Sequence, residues 1–203
     1  MPGEIFVITA PSGTGKTTLL KPLMAEDSGL RFSISYTTRP PREGEVDGKD
    51  YFFVSPEEFR RLRDQGTLAE WVEQFGYGYG TSRNWISEMV ASGEDLVFDL
   101  DSRGARALKE SFPQATLIFI LHPSLTELER RLKGRGNLDP QELARRLANG
   151  RAELKEVTWY DYLVVNEDIA TALASLKAIV QAARCRTSQL WPELAPRYLH
   201  DDP

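Results

Sequence analysis

The stretch Ala10-Pro-Ser-Gly-Thr-Gly-Lys-Thr-Thr18 follows an apolar run at 5–8 and leads into Leu19-Leu20. A strand, a glycine-rich turn and a helix start, in this order, are what a phosphate-binding P-loop requires. Backbone N–H groups can wrap a phosphate chain only where side chains leave room, which accounts for Gly13 and Gly15. The helix start adds the positive end of its dipole. The sequence therefore predicts a loop that binds a nucleoside triphosphate.

Two side chains of this loop have predicted roles of their own. Lys16 supplies a mobile cation for the outer phosphates, and the Thr17 hydroxyl is a ligand for Mg²⁺. Ala10 stands where the pattern usually has glycine, so the match is close but not literal. We expect the triphosphate site to comprise Ala10, Pro11, Ser12, Gly13, Thr14, Gly15, Lys16, Thr17 and Thr18.

Composition narrows the class of protein. The chain has 203 residues, 41% of them hydrophobic, which is enough for one substantial core. Its one cysteine, Cys185, rules out an intrachain disulfide framework and fits a reducing cytoplasm. No apolar run approaches the roughly 20 residues of a membrane span. Because the net charge is −5, we also expect no nucleic-acid partner, and we predict a cytoplasmic protein.

Short apolar runs alternate with helical patterns along most of the chain. Strands are predicted at 5–9, 96–100, 116–121 and 162–165, and they resemble parallel strands that are covered on both faces. Capping patterns at Ser55 and Ser124 predict helix starts, and the spacing of apolar residues predicts a final helix that starts at Asp168. Pro22 conflicts with the helix expected after the P-loop, which it either kinks or ends. The pattern predicts an α/β fold with three layers around a central, mostly parallel sheet.

Between residues 31 and 80 the pattern changes, because Thr, Tyr, Pro and Gly become frequent and alternation is short. We interpret this part as an inserted subdomain with a mixed β-sheet. A glycine-rich piece at 134–136 indicates a mobile lid between two helices. The predicted units are a core at 1–32 and 83–190 with a lid at about 134–157, a subdomain at 33–82, and a tail at 191–203. The tail after Arg186 is expected to be a surface extension with a frayed end.

Two arginines in the inserted part suit an anion. Arg39 and Arg42 flank a Pro-Pro unit that stiffens an extended chain. Guanidinium groups held in this way match the oxygens of a terminal phosphate, and Tyr51 and Tyr79 could donate to the same group. On these residues alone, a polar turn with two solvated arginines remains an alternative.

Two carboxylates end a predicted buried strand. Asp99 and Asp101 are two residues apart, so the alternation of a strand directs both to the same side. The repulsion between the two carboxylates destabilises the fold unless nearby cations compensate their charge, so a functional role for the pair is favoured. Asp99 is expected near Mg²⁺, directly or through water, or beside an arginine that it orients.

From Ser35 to Phe53 the chain follows the pattern Ser-x-Thr-Thr-Arg-x-x-Arg-x-Gly-Glu-x-x-Gly-x-x-Tyr-x-Phe, which resembles the GMP-binding signature of guanylate kinases. The P-loop form Ala-Pro-Ser-Gly-x-Gly-Lys is similar to theirs too. Further similar pieces occur at 70–71, 78–81, 99–101, 135–136, 146–147 and 160–166. The resemblance covers about residues 3–186. It implies transfer of a phosphoryl group from ATP to GMP or dGMP, with Mg²⁺ as cofactor.

Position by position, the resemblance also implies site residues. The GMP phosphate would be held by Arg39, Arg42, Tyr51 and Tyr79. The guanine site would be lined by Ser35, Glu70, Thr81 and Asp101. Arg135 and Arg146 match arginines of a lid, Arg135 and Asn166 would complete the ATP site, and Asn166 lies near the adenine. The implied catalytic residues are Lys16, Arg39, Asp99, Arg135 and Arg146.

The base chemistry supports the guanine assignment independently. Guanine presents two donors, N1–H and the 2-amino group, which carboxylates such as Glu70 and Asp101 accept. Adenine presents an acceptor at N1, which the same carboxylates would repel.

Three departures from the family pattern bear on efficiency more than on the substrate. Ser102-Arg103-Gly104 replaces the usual x-Gln-Gly, and Arg103 could pair with Asp99 or Asp101. Tyr77 replaces a common Asn. Gly150 replaces a common Ala, at a helix-propensity cost of about 1 kcal/mol.

Two alternatives stay open beside the leading interpretation. One is a non-catalytic guanylate-kinase-like module that binds protein partners, although such modules typically lose the P-loop lysine and the lid arginines. The other is a P-loop kinase for a different phosphorylated substrate. The sequence does not decide between a monomer and a homo-oligomer.

Overall fold

The computed structural model of the protein describes residues 1–74, 76–134 and 139–199. The strands are β1 (Ile5–Thr9), β2 (Leu30–Phe32), β3 (Ser35–Thr37), β4 (Tyr51–Phe53), β5 (Leu68–Gln74), β6 (Tyr77–Ser82), β7 (Asp95–Asp99), β8 (Thr116–Leu121) and β9 (Tyr162–Val165). The helices are α1 (Lys16–Glu26), α2 (Pro56–Asp64), α3 (Arg83–Ala91), α4 (Ser102–Ser111), α5 (Leu125–Lys133), α6 (Pro140–Leu154), α7 (Ile169–Arg184) and α8 (Thr187–Leu199). A 3₁₀ turn at Val157–Trp159 precedes β9.

The central sheet has five strands in the order β2-β7-β1-β8-β9, and its described pairings are all parallel. Alternate residues of β1 face opposite layers. Phe6 and Ile8 belong to the core cluster that includes residues of α1 and α7, whereas Ile5 and Val7 belong to the cluster that includes residues of α3 and α4. Both faces are thus covered, which explains why these strands are apolar throughout. The three-layer α/β prediction is confirmed, and the sheet is more uniformly parallel than expected.

A second sheet has the order β4-β3-β6-β5 and is mixed. β3 pairs with β4 in parallel, and β6 runs antiparallel to both β3 and β5. Helix α2 packs on it through Phe59 and Leu62, which cluster with Leu68. A Cβ atom at Gly80 would lie 2.8 Å from the carbonyl oxygen of Glu70, so glycine lets β5 and β6 pack closely at this point. The predicted mixed sheet in the inserted part is confirmed.

Several local predictions are confirmed at the level of single residues. The predicted strands 5–9, 116–121 and 162–165 have the observed bounds, and the strand predicted at 96–100 is shifted by one residue. Ser55, Ser124 and Asp168 each cap a helix by accepting a backbone N–H three residues later. Pro22 lies inside α1, which continues to Glu26 because Leu19, Leu20 and Leu23 are buried in the core.

The tail that was expected to be a surface extension is helical for most of its length. Residues 187–199 form α8, even though Pro192 and Pro196 lie within it. The helix contains no buried residue in its described length, and an ion pair between Arg197 and Glu193 at 3.5 Å supports its exposed side. Residues 200–203 lie outside the described part of the chain. None of the described helices is long and apolar enough to cross a membrane.

Candidate active site

The P-loop joins β1 to α1 at the carboxyl edge of the central sheet. Gly13 and Gly15 have φ angles of 94° and 95°, in the left-handed region that favours glycine. A Cβ atom at Gly13 would lie 2.8 Å from a methyl group of Leu132 on α5. Gly15 caps α1 without a side-chain hydrogen bond, so the N–H groups of the first turn remain available to an anion. The loop therefore has the geometry of an anion site.

Two side chains that are distant in the sequence fix the P-loop by hydrogen bonds to its backbone. The carbonyl oxygen of Thr14 accepts from Asn166 Nδ2 at 2.7 Å and from Arg131 Nη1 at 3.2 Å. Arg131 also donates to the carbonyl oxygen of Asn166 at 3.1 Å. Asn166 is 2% exposed, and its Oδ1 has no hydrogen-bond partner among the described residues. Arg131 was not among the predicted site residues, and its one signal in the sequence is its place in a basic cluster at 130–135.

The P-loop lysine already has a partner. Lys16 Nζ forms an ion pair with Asp99 at the end of β7, the strand beside β1. Thr17 and Asp99 line one cavity of about 370 Å³ together with residues of α1. The parallel pairing of β1 and β7 is what brings the P-loop and this carboxylate to the same edge.

The same edge can hold a magnesium ion with help from a nucleotide. Among the residues that the structure describes, no group of three or more His, Cys, Asp or Glu side chains is placed to hold a metal. Mg²⁺ usually takes only one or two protein ligands beside phosphate oxygens and water. A hydroxyl from Thr17 and a carboxylate from Asp99 fit that donor set.

A cavity of about 410 Å³ lies between the two sheets. It brings together most of the residues that were predicted to bind the phosphoryl acceptor. Its lining includes Ser35, Arg42, Tyr51, Glu70, Tyr79, Asp99 and Asp101. Two further predicted residues, Arg39 and Thr81, contact members of this set.

At one end of this cavity a chain of hydrogen bonds leads to a buried carboxylate. Glu70 on β5 lies opposite Thr81 on β6, and the Thr81 hydroxyl donates to Glu70 Oε1 at 2.7 Å. The hydroxyls of Ser35 and Thr81 are 3.0 Å apart, and because the Thr81 proton is used, Ser35 is the donor. Glu70 is 3% exposed. Burial, with a smaller contribution from the charge of Asp101, raises the pKa of Glu70 to about 7.

The second carboxylate of this end caps a helix. Asp101 lies beyond the end of β7 and accepts the N–H of Gly104 through Oδ1 at 2.8 Å, which starts α4. Asp101 Oδ2 lies 3.2 Å from Arg103 Nη2. Arg103, which departs from the family pattern, therefore pairs with Asp101 and not with Asp99. A Cβ atom at Gly104 would be 3.5 Å from both Asp101 Oδ1 and Glu70 Oε2. The two carboxylates therefore converge on one part of the cavity.

Of the two predicted arginines, Arg42 lines the cavity and Arg39 lies beside it, against Tyr51. Arg39 is 9% exposed, and its Nη2 donates to the two carboxylate oxygens of Glu45 at 2.7 and 2.9 Å. Its guanidinium carbon lies 5.4 Å from the ring centre of Tyr51, whose pKa is raised by burial. The hydrogen bonds that Arg39 donates to Glu45 raise the pKa of Arg39, which remains a cation. Glu45 lies inside the quoted signature but was not predicted as a site residue.

These features are matched by the comparisons with known proteins. A family model described as "Guanylate kinase" matches residues 3–183. The chain belongs to the guanylate kinase family. A protein named guanylate kinase from Aromatoleum aromaticum is 47% identical over 186 residues, which are 92% of this chain and 91% of that protein. Another from Geobacter metallireducens is 46% identical, with 97% of each chain covered.

A solved guanylate kinase has the same fold. The crystal structure of guanylate kinase from Anaplasma phagocytophilum superposes with a TM-score of 0.72 at 32% sequence identity. The match covers 99% of this chain and 97% of that one, so both sheets are included.

Of the two arginines that match lid positions of guanylate kinases, one is described. Arg146 on α6 donates to Glu142 at 2.8 Å and approaches the Ser12 hydroxyl of the P-loop at 3.4 Å. Gly150 is buried where α6 crosses the P-loop and α5, and a Cβ there would lie 3.1 Å from Leu128. This close approach gives a physical reason for the departure at Gly150. Arg135 lies outside the described residues.

Proposed function

We propose that this protein is an active guanylate kinase, which transfers the γ-phosphoryl group of ATP to GMP or dGMP and releases ADP and GDP or dGDP. One observation carries the proposal: the cavity lined by Glu70 and Asp101 is also lined by Asp99, and the Asp99 carboxylate forms an ion pair with the P-loop residue Lys16. Relatives with 46–47% identity that bear the name guanylate kinase support the same activity.

The donor half would work through its backbone. The free N–H groups around Gly13 and Gly15 would bind the outer phosphates of ATP, and Lys16 would exchange Asp99 for those phosphates. Arg131 and Asn166 hold the loop in place through Thr14. We propose an ATP site that comprises Ala10, Pro11, Ser12, Gly13, Thr14, Gly15, Lys16, Thr17, Thr18, Arg135 and Asn166.

The acceptor half would work through side chains. The N1–H and 2-amino groups of guanine would donate to Glu70 and Asp101, with Ser35 and Thr81 orienting Glu70. The monophosphate would lie at the other end of the cavity. Its oxygens would accept hydrogen bonds from Arg39, Arg42, Tyr51 and Tyr79.

We also propose Mg²⁺ as the cofactor, held by Thr17 and, directly or through water, by Asp99. When bound with the nucleotide, the ion would neutralise phosphate charge and help to align the phosphoryl group. Thr17 and Asp99 line a common cavity next to the P-loop, which supports this assignment.

Catalysis would depend on position and charge. The transition state of phosphoryl transfer spreads negative charge over the transferred group, so the protein needs little covalent chemistry. Lys16, Arg39 and Arg146 are described cations around the cleft, and we propose Arg135 as a fourth. Closure of a lid at about 134–157 over the core would exclude water, which otherwise competes with GMP for the phosphoryl group. The exposed free thiol of Cys185 agrees with a cytoplasmic location, which we propose as well.

A coupled assay with ATP and a panel of GMP, dGMP, AMP, CMP and UMP tests the proposal. We expect kcat/KM for GMP to exceed that for AMP by about 10⁴-fold, because a site built to accept two donors leaves its carboxylates unpaired with the wrong base. Turnover of AMP as fast as that of GMP would favour a kinase for another substrate. Absence of turnover with intact GMP binding would favour the non-catalytic module.

A further inference from the structure

Beside the acceptor cavity lies an acidic side chain that the proposed reaction does not use. Glu45 accepts two hydrogen bonds from Arg39 Nη2, at 2.7 and 2.9 Å, and a third from the backbone N–H of Arg42 at 2.7 Å. The carboxylate thus joins the two arginine positions that the proposed function assigns to the GMP phosphate. Its pKa is lowered by these contacts with Arg39 and Arg42, so it is an anion at neutral pH.

An anion beside a phosphate site could either compete with the phosphate or prepare its ligands. The donors of Arg39 decide between these roles. A guanidinium has five N–H donors. Nη2 serves Glu45, and one N–H of Nη1 serves the carbonyl oxygen of Pro40 at 2.7 Å. Nε–H and the second N–H of Nη1 remain for another acceptor, and the Tyr79 hydroxyl, itself predicted to contact the phosphate, lies close to the guanidinium.

The contacts of Arg39 also fix its direction. Glu45 and Pro40 hold the two ends of the guanidinium, while the rings of Tyr51 and Phe53 lie 5.4 and 5.9 Å from its carbon. The long arginine side chain is thereby held in one rotamer before any ligand arrives. Preorganisation of this kind saves the entropy that a free arginine would lose on binding.

The backbone contact has a separate effect. Arg42 is exposed, and its position depends on a turn that includes Gly44, whose φ is 85°. Glu45 Oε2 bonds Arg42 N across this turn, and Glu45 N bonds the Arg42 carbonyl oxygen at 3.1 Å. One side chain therefore orders both the buried arginine and the turn that carries the exposed one.

We infer that Glu45 is a positioning residue of the acceptor site, which orients Arg39 and the Arg42 turn toward the phosphate of the monophosphate substrate. The inference rests on the proposed function, because it takes the acceptor to be a nucleoside monophosphate. Glu45 itself does not touch the substrate and acts through the two arginines.

The test substitutes Glu45→Gln and measures kcat, KM for GMP, KM for ATP and the urea midpoint of unfolding. Glutamine must turn one NH₂ group toward a donor of Arg39 or Arg42, so it breaks the array with little change in size. We expect KM for GMP to rise by about 10- to 100-fold, the size of one or two charge-assisted hydrogen bonds. KM for ATP, the binding of guanosine and the urea midpoint should change little. Glu45→Asp, which keeps the charge but is too short to reach both arginines, should give a smaller rise.

Glu43→Gln is the matched control, because Glu43 carries the same charge two residues away and is exposed on the same turn. A Glu45→Gln variant that behaves like Glu43→Gln would overturn the inference, as would a lower KM for GMP, which identifies Glu45 as a competing anion. Equal losses of GMP and guanosine binding would also overturn it. Failure of the wild-type protein to phosphorylate GMP would instead refute the proposed function, so the two failures are distinguishable.

Discussion

In the P-loop at 10–18 the groups that we propose to bind an anion are backbone amides of one contiguous segment, whereas the acceptor cavity is lined by side chains from both sheets. The loop needs glycines, a dipole and one lysine, and its geometry follows from local sequence. The cavity needs strands that are distant in the chain to meet, as Glu70 and Thr81 do across β5 and β6. In the proposed function, affinity for the triphosphate would therefore depend on local sequence, whereas the choice of base would depend on tertiary structure.

The two regions also treat charge differently. The P-loop cation Lys16 is neutralised by Asp99 before a ligand binds. In the cavity, Glu70 is buried with hydroxyl partners and no cation in contact among the described residues, so burial raises its pKa to about 7. The protonation of the Glu70 side of the cavity is therefore sensitive to pH near neutrality.

The largest effect is expected from the substitution Lys16→Met, which removes the P-loop cation without touching the acceptor cavity. Turnover should fall by about 10³-fold or more, because this charge is needed most in the transition state. The dissociation constant of GMP, measured by calorimetry, should stay within about twofold of wild type, well below a tenfold change of 1.4 kcal/mol. Lys177→Met, which removes an exposed charge on α7, is the control. Loss of GMP binding as large as the loss of turnover would break the separation between the two regions.

The converse substitution, Glu70→Gln, affects the cavity alone. KM for GMP should rise by about 100-fold, since an amide replaces one acceptor oxygen with a donor that faces the donors of guanine. KM for ATP should be nearly unchanged, and Glu88→Gln on α3 provides an exposed control with the same change of charge. An equal rise in KM for ATP would show that Glu70 affects the ATP site as well as the GMP site.

The donor and acceptor regions should also respond differently to pH. Because guanine binds to the carboxylate form of Glu70, GMP affinity should be full above pH 7 and decline as the pH falls through about 7. KM for GMP should rise about tenfold between pH 8 and pH 6, with a further contribution from the GMP phosphate, whose second pKa is about 6. The Glu70→Gln variant isolates that phosphate contribution. Identical pH profiles for the variant and the wild type would contradict the assignment of Glu70.

A smaller effect is expected at Gly150, where α6 meets the P-loop. An ordinary helix glycine replaced by alanine gains about 1 kcal/mol of stability. Here the new methyl group would lie 3.1 Å from the buried Leu128, so overpacking should offset that gain and leave Gly150→Ala neutral or destabilised by about 1 kcal/mol. Urea unfolding measures the difference, and a clear gain in stability would show that α6 has room to move.

The same contrast explains how much of the molecule the sequence predicts. The strand–loop–helix order around the P-loop, the bounds of three predicted strands and the helix starts at Ser55, Ser124 and Asp168 depend on a few neighbouring residues, and the structure confirms them. Arg131 escaped detection because its contact with Thr14 joins residues 117 positions apart. α8 was missed because two prolines obscured its helical pattern. The division into core, inserted subdomain, lid and tail stays a prediction.

Some residues of the acceptor cavity could be predicted only from the resemblance to guanylate kinases. Glu70 has no local signal, because an acid near the start of a strand is common on protein surfaces. Its burial results from the pairing of β5 with β6 and from the approach of α4 at Gly104. Strand alternation correctly predicted that Asp101 lies on the same side as Asp99. The physical reason is different, because Asp101 lies beyond the end of β7 and caps α4.

The central claim is that the Glu70/Asp101 carboxylate pair selects the base. The most direct test compares the ratio of kcat/KM for GMP to that for AMP in the wild type and in the double variant Glu70→Gln/Asp101→Asn, in which Asn keeps an oxygen for the helix cap. We predict a ratio of about 10⁴ in the wild type that falls by at least about 100-fold in the double variant. An unchanged ratio would contradict the account.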